Sequence, residues 1–342
     1  MQILRKLCCY SVMNGYKMNY RNLGKTGLKM SNIVFGGGAV GGILIRSDLD
    51  VQREAIKRAI KSGINWIDTA PMYGNGVSEQ NIGLLLGELS ESVRPHIATK
   101  VMLDPEEADL SGQLEGICRS SLNRLNMNSI DLLQVHNRVE NIFDGSSSLT
   151  VEQMLGPVRK GLENIKKKGL VRHIGFTANG DPEALKEVVN AGFYESAQVY
   201  YNMINPSAGR KMSESWPSFN FRNIISECSV QQMGVMVIRV LAAGVLATDK
   251  RHGRESEIIP MADIDSNQRM AKKIWDVTQN EVGTDSQTAI RYALSNNSVS
   301  GVIVGLAELQ HLNEACEAAR LGRLSDPLLN IIHNTIDAVD SI

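Results

Sequence analysis

A short apolar segment rich in β-branched residues, followed by a longer segment with helical periodicity, recurs about eight times along this 342-residue chain. Strands that alternate with helices indicate parallel βαβ units, because consecutive parallel strands need a crossover connection. Eight units predict a closed (β/α)8 barrel of the α/β class, whereas periodicity alone leaves an open doubly wound sheet as the alternative. The barrel strands are expected at 33–35, 64–68, 96–100, 131–136, 171–176, 197–201, 235–240 and 301–304.

The connecting segments have the apolar spacing of amphipathic helices. A β-hairpin is expected at 20–31, ahead of the first barrel strand, with its turn at 25–27. Barrels of this length commonly form a single domain, so 18–342 is assigned to the barrel. Residues 1–17 lack the cleavage site of a signal peptide and are expected to be a flexible extension. Helices are expected at 51–61, 79–89, 110–125, 151–168, 182–191, 220–232, 268–278 and 287–295.

The composition excludes several classes of partner. The formal net charge is -1 and the sequence pI is about 6.6, so there is no electrostatic case for nucleic acid or for a membrane surface. No apolar stretch approaches the roughly 20 residues of a membrane helix. The five cysteines form no C-x-x-C pair, and three fall in helix-like segments, as expected of reduced thiols in the cytoplasm. We expect a cytoplasmic monomer or weak homo-oligomer with no metal site.

Three of the predicted strands end on different reactive side chains. Asp68 ends one strand and is followed five residues later by Tyr73, while Lys100 and His136 end the next two strands. Because parallel strands place their carboxyl ends at one face of a barrel, we expect these side chains to lie together there. Taken singly, each has an ordinary alternative: a capping aspartate, a packing tyrosine, a surface lysine and a partly buried histidine.

These groups suit the reduction of a carbonyl. A phenol, with an unperturbed pKa near ~10, is a poor proton donor at neutral pH unless an ammonium stabilises the phenolate, the role expected of Lys100. A buried lysine keeps its charge beside a carboxylate such as Asp68. His136 is suited to orient the substrate oxygen or to share the proton transfer. No serine or cysteine nucleophile motif is present, so a nicotinamide cofactor is the natural hydride source.

The block Asp-Thr-Ala-Pro-Met-Tyr-Gly at 68–74, followed by Ser78-Glu79, resembles the Asp-Thr-Ala-x-x-Tyr-Gly block of the aldo-keto reductases. The resemblance covers the chain from about Met18 onward and is closest to the sugar-dehydrogenase-like branch. It implies a TIM barrel with an N-terminal hairpin, a small-molecule carbonyl or sugar substrate, and a catalytic tetrad in which Tyr73 is the general acid. Further blocks match in order at 23–28, 99–100, 131–136, 174–177, 198 and 301–305.

The resemblance also implies an NAD(P)(H) cofactor that lies across the barrel mouth. The segment 305–314 has none of the Lys or Arg residues that bind the 2′-phosphate in NADP(H)-preferring relatives, and Glu308 is suited to accept from a ribose hydroxyl, so the sequence leans to NAD(H). Instead of binding the cofactor, Arg239 could form a salt bridge within the barrel mouth and Glu314 could lie on a helix surface. The residues expected to bind the cofactor are Gly37, Thr177, Asn179, Gln198, Arg239, Leu241, Gly244, Gly305, Glu308 and Glu314.

Two other functions compete with an oxidoreductase. A cofactor-binding regulatory or redox-sensing subunit would show little turnover and an exposed apolar patch for its partner. A barrel hydrolase would need two carboxylates that face one pocket, and Asp68 with Glu79 is not a persuasive pair. On the substrate side, Asn137 and Arg138 are expected to meet hydroxyl groups, and the insertion 204–219 with Trp216 is expected to form a wall of the pocket.

Overall fold

Eight parallel strands close into a barrel in the computed structural model of the protein, which describes residues 18–143, 145–251, 253, 255, 258–260 and 263–338. The expected extension at 1–17 lies outside the described residues. The strands are β1 (Tyr20–Asn22), β2 (Lys29–Ser31), β3 (Ile33–Gly36), β4 (Trp66–Asp68), β5 (His96–Val101), β6 (Ile130–Val135), β7 (Val139–Glu140), β8 (Leu149–Thr150), β9 (Val171–Ala178), β10 (Ser196–Tyr200), β11 (Gly234–Ile238) and β12 (Gly301–Gly305).

The barrel order is β3-β4-β5-β6-β9-β10-β11-β12, and β12 pairs with β3 to close it. All eight predicted barrel strands are present, so the (β/α)8 prediction is confirmed and the open sheet is excluded. The hairpin prediction is also confirmed, since β1 and β2 pair antiparallel across a short 3-10 turn at Gly24–Thr26. The two-stranded pair β7 and β8 stands apart from the barrel.

Helices cover the outside of the barrel, and several of them begin with a side chain that accepts from free backbone N–H groups. Asp181 accepts from the backbone of Glu183 and Ala184, and Thr284 forms a capping box with Gln287. The helices are α1 (Ile43–Arg46), α2 (Leu49–Lys61), α3 (Val77–Gly87), α4 (Leu110–Leu125), α5 (Val151–Leu155), α6 (Pro157–Lys167), α7 (Pro182–Asn190), α8 (Ile224–Val230), α9 (Ile264–Thr278), α10 (Asp285–Ser295), α11 (Leu309–Leu321) and α12 (Asp326–Asp337).

Two helix predictions were wrong in extent. The segment 151–168 forms two helices, because Gly156 adopts non-helical angles (φ -103, ψ -103) and Pro157 has no N–H to continue the ladder. The predicted helix at 220–232 is confined to α8, since Arg222 and Asn223 are left-handed (φ 50 and 59) and so precede its first turn.

The interior of the barrel is apolar at its amino-terminal end. Leu23 and Met30 of the hairpin pack with Trp66, whose indole N–H donates to the Lys29 carbonyl at 3.1 Å. The hairpin therefore forms the floor of the barrel, and the polar end lies at the carboxyl ends of the strands. The buried residues that complete this floor cluster are Val34, Ala98, Leu132 and Met236.

A larger apolar layer lies between the strands and the helices. Three cysteines in this layer, Cys118 in α4, Cys228 in α8 and Cys316 in α11, are buried free thiols. Burial raises the pKa of Cys118 and of Cys228 to about 12, so these two side chains act as inert packing groups. In the described part of the chain, no helix is long and apolar enough to cross a membrane.

Candidate active site

The center of the site is a buried ion pair at the carboxyl ends of β4 and β5. Lys100 Nζ donates to Asp68 Oδ2 at 2.7 Å and to the Thr69 carbonyl at 2.8 Å. The relative accessibility of Lys100 is 0% and that of Asp68 is 2%, so solvent screens this interaction very little. The two strands pair in parallel, which brings the two side chains to the same end of the barrel.

Burial and ion pairing shift the pKa in opposite directions for both Asp68 and Lys100. Burial raises the pKa of Asp68, and the Lys100 ammonium and the amides of Gln198 and Gln134 oppose that rise. Burial alone would lower the pKa of Lys100, but Asp68 and Tyr73 outweigh it and the pKa of Lys100 lies above its ordinary value. The ammonium is therefore maintained in a place where an unpaired lysine would lose its proton.

Tyr73 lies beside this ammonium. The Lys100 Nζ atom is 4.8 Å from the centroid of the Tyr73 ring, and the partly exposed ring belongs to the loop between β4 and α3. Two buried hydroxyls brace that loop: Thr69 Oγ1 donates to Ser78 Oγ at 2.9 Å, and Ser78 Oγ donates to the Gly37 carbonyl at 3.0 Å. The phenol is thus fixed next to the cation on a tethered loop.

His136 directly follows β6, and its ring nitrogen Nδ1 is 2.7 Å from the hydroxyl oxygen of Thr177. Burial, and to a smaller extent the nearby Lys100 ammonium, lower the pKa of His136 to about 3. The imidazole is therefore neutral at physiological pH, with one nitrogen that donates and one that accepts. It serves as a hydrogen-bond partner and not as a cation.

Gln198 reaches Asp68 from the opposite side of the barrel. Its Nε2 donates to Asp68 Oδ1, while its Oε1 is buried and, within the described residues, has no hydrogen-bond partner. A buried acceptor without a partner is costly, so this atom indicates a site for a donor supplied from outside the chain. Gln134, fully buried on β6, lies close enough to affect the pKa of Asp68.

The loop after β11 is conformationally unusual. Arg239, Ala242 and Ala243 have positive φ angles of 59, 45 and 56, although none is glycine. Left-handed non-glycine residues are strained, and such strain clusters at ligand sites. A Cβ at Gly244 would meet no heavy atom within 4 Å, so open space adjoins this loop. Leu241, which precedes the short 3-10 turn, is partly exposed.

The other predicted cofactor residues lie at the same end of the barrel or on α11. The N–H of Gly37 donates to the Asp68 carbonyl at 2.8 Å, and the N–H of Asn179 donates to the Thr177 carbonyl at 2.8 Å. Gly305 is exposed at the end of β12, and Glu308 is exposed just before α11. Glu314 differs, because its carboxylate accepts from Ser286 Oγ at 2.8 Å and so joins α11 to α10.

The structure also shows the surroundings of the three residues that were expected to contact the substrate. Asn137 was wrongly expected to meet the substrate: it is buried, accepts from the Leu103 N–H and donates to the carbonyls of Leu103 and Ser147, so it braces two loops. Arg138 is only partly buried and pairs with Glu140 at 2.8 Å. The Trp216 indole, expected in a pocket wall, is partly exposed and donates to the Phe219 carbonyl at 3.4 Å.

The carboxylates do not form a hydrolase pair. Glu79 accepts from Thr99 Oγ1 at 2.6 Å and from Arg124 Nε at 2.7 Å, whereas Asp68 accepts from Lys100. Each carboxylate has its own cation, so the two do not share one pocket as acid and nucleophile. Within the described residues, no group of three or more His, Cys, Asp or Glu side chains is arranged to hold a metal ion.

The sequence profile of the Aldo/keto reductase family matches residues 32–337, most of the chain. The chain belongs to the aldo/keto reductase family. Enzymes of this family are oxidoreductases that use NAD(P)H on small-molecule carbonyls. The predicted family resemblance is thereby confirmed.

Two curated relatives and one solved structure match over most of their length. The chain is 26% identical to an L-galactose dehydrogenase of Arabidopsis thaliana, covering 87% of each chain. It is 25% identical to a probable voltage-gated potassium channel subunit beta of the same plant, covering 91% of this chain and 94% of that one. The holo form of aldo-keto reductase AKR11C1 from Bacillus halodurans superimposes with a TM-score of 0.72 at 20% identity, covering 93% and 96% of the two chains.

Proposed function

We propose that this protein interconverts an aldehyde or ketone and the corresponding alcohol, with Tyr73 as the general acid in reduction and the general base in oxidation. The observation that carries the proposal is the fully buried Asp68–Lys100 pair with its ammonium beside the Tyr73 ring. Removing two charges from water costs desolvation free energy that their attraction need not recover, so a buried ion pair is weak evidence for a stabilising role. A chemical role better explains why this pair is buried.

Each residue has one task in this scheme. The Tyr73 hydroxyl gives its proton to the carbonyl oxygen, and Lys100 stabilises the phenolate that remains. Asp68 keeps Lys100 charged, and the neutral imidazole of His136 donates a hydrogen bond to the same oxygen. Reprotonation of Tyr73 from solvent through the barrel mouth restores the starting state.

NAD(P)(H), when bound, supplies the hydride that is added to the carbonyl carbon. We assign its nicotinamide end to Gln198, Thr177 and Asn179, where the unpaired Gln198 Oε1 suits an amide N–H. Its phosphates and ribose are assigned to Gly37, the 239–244 loop, Gly305 and Glu308. We further propose a preference for NAD(H), because the segment 305–314 offers no Lys or Arg to a 2′-phosphate and presents an exposed Glu308.

For the substrate we propose an aldose or a small hydroxy-aldehyde. The support is the likeness to the L-galactose dehydrogenase of Arabidopsis thaliana, together with two partly exposed side chains, Arg138 shortly after β6 and Trp216 in the segment between β10 and α8. We also propose a cytoplasmic location, in keeping with the buried free thiols, and a monomeric or weakly associated state.

Turnover with a panel of aldehydes and aldoses, measured with NADH, NADPH and the oxidised cofactors, tests the proposal. Tyr73→Phe should lose about 10²–10⁴-fold in kcat while cofactor affinity, measured by fluorescence titration, is retained. Tyr20→Phe is the matched control, since Tyr20 is an exposed phenol of the hairpin that donates to the Gly63 carbonyl. Near-normal turnover by Tyr73→Phe would contradict the assignment of the general acid.

A regulatory subunit is the second candidate, and the likeness to the potassium channel subunit beta is the observation that favours it. That function predicts a slowly exchanging cofactor and negligible turnover with every substrate of the panel. Turnover of any carbonyl that depends on Tyr73 would favour the enzyme.

A further inference from the structure

Thr177 makes a contact that cofactor binding does not explain. It lies at the end of β9, next to β6, and the parallel register that pairs Val135 with Phe176 brings the following residues, His136 and Thr177, side by side. The Thr177 hydroxyl is 2.7 Å from His136 Nδ1, and the relative accessibility of Thr177 is 2%. Water therefore does not compete for this hydrogen bond.

The chemistry of the two groups decides which of them donates. A neutral imidazole carries one proton, on either Nδ1 or Nε2, and the tautomer is set by the partner of the other nitrogen. The carbonyl oxygen of a substrate can only accept, so His136 is useful to it only with the proton on Nε2. Nδ1 must then accept, and in the described part of the chain the Thr177 hydroxyl has no other hydrogen-bond acceptor to serve.

We propose that Thr177 is a positioning residue, whose hydroxyl donates to Nδ1 of His136, holds the imidazole in its Nε2–H tautomer and so presents a hydrogen-bond donor to the carbonyl oxygen. The proposal rests on the carbonyl chemistry proposed above. A threonine suits this task better than a serine, because its β-branched side chain has restricted χ1 rotation and holds the hydroxyl in one direction.

The test separates the hydroxyl from the shape of the side chain. Thr177→Val keeps the shape and removes the donor, while Thr177→Ser keeps the donor. Nitrogen-15 NMR of labelled protein distinguishes protonated from bare imidazole nitrogens, and His136→Gln assigns the signals of this ring. We expect the Nε2–H tautomer in the wild type and in Thr177→Ser, and a mixture of tautomers or the Nδ1–H form in Thr177→Val.

Kinetics supply the second measurement. Thr177→Val should lower kcat by about tenfold, the loss expected for one hydrogen bond, and Thr177→Ser should retain most of it. Cofactor affinity should change less than kcat in both variants. A merely structural role would lower protein stability without changing the tautomer.

An Nδ1–H tautomer in the wild type, or an unchanged tautomer in Thr177→Val, would overturn the proposal. The wild-type spectrum decides the direction of the hydrogen bond by itself, so the proposal stays testable even when Thr177→Val does not fold. Because the spectra need no substrate, the tautomer can be established even in a protein that turns over no carbonyl. An absence of turnover with the expected tautomer would refute the proposed function and leave the role of Thr177 standing.

Discussion

Replacing Lys100 by methionine should produce a protein whose stability falls as the pH rises. Lys100 and Asp68 have relative accessibilities of 0% and 2%, and the substitution leaves the carboxylate buried with a hydrogen bond from Gln198 but no cation. Removing one partner of a buried pair costs about 3–5 kcal/mol. That is a large part of the roughly 5–15 kcal/mol that stabilises a typical protein, so the variant should fold but with reduced stability.

The pH dependence follows from the proton that Asp68 takes up. Burial already raises the pKa of Asp68 against the opposing effect of Lys100, and loss of Lys100 lets it rise further. An unfolded aspartate titrates near ~3.9. Between that value and the raised pKa the folded state binds a proton that the unfolded state has released. The stability of Lys100→Met should therefore decrease with increasing pH in this window, by about 1.4 kcal/mol per pH unit.

Urea unfolding followed by circular dichroism at pH 5 and pH 8 measures the effect. The double variant Lys100→Met with Asp68→Asn cannot ionise at this position and should regain stability at pH 8. Lys57→Met, at an exposed position of α2, is the control for the loss of a lysine. Equal stability of Lys100→Met at the two pH values, or no gain from Asp68→Asn, would refute the argument that the carboxylate depends on Lys100.

Four further outcomes are expected. Tyr73→Phe should reduce kcat by about 10²–10⁴-fold at unchanged cofactor affinity, as steady-state kinetics and titration will show. His311→Arg, on the exposed first turn of α11, should tighten NADPH binding by about tenfold or more, and Gln310→Arg beside it should do so less. Ala243→Gly should raise the free energy of unfolding by up to about 1 kcal/mol, because relief of left-handed strain (φ 56) exceeds the entropy cost of glycine. Because the pKa of His136 is lowered to about 3, the unfolded chain takes up a proton below pH ~6.5 that the folded chain does not bind. The free energy of unfolding should therefore decrease by about 1.4 kcal/mol for each pH unit below that value. In urea unfolding measurements His136→Gln should make this pH dependence weaker.

The fold was predictable because each strand and helix has a strong local pattern. Every barrel strand and the hairpin occur where alternating apolar segments placed them, with ends that differ by one or two residues. The errors arose where a single residue overrides the pattern, as at Gly156 and Pro157, which divide one periodic segment into two helices. The helices α11 and α12 follow the last strand, where the strand-helix alternation gives no further constraint on their extent.

The grouping of Asp68, Lys100 and His136 could be anticipated, since strand ends converge in any parallel barrel. Side-chain partners on other strands could not be anticipated, because they depend on register. The contact between His136 and Thr177 joins residues 41 positions apart, and that between Asp68 and Gln198 joins residues 130 apart. Gln134, like Gln198, is a polar residue within an otherwise apolar strand. The same pattern could therefore have identified Gln134 as a candidate site residue.

The hairpin has a mechanical consequence. Its Arg21 side chain donates to the carbonyls of Leu294, near the end of α10, and of Asn296 and Val299 in the loop before β12, while its second strand is followed directly by β3. It therefore links the first barrel strand to the segment before the last one. These two strands form the barrel pairing with the largest sequence separation, and pairings of large sequence separation are expected to form slowly. Under a pulling force on the amino terminus, the hydrogen bonds of Arg21 should break before the barrel strands separate. A chain shortened past Arg21 should show a faster unfolding rate.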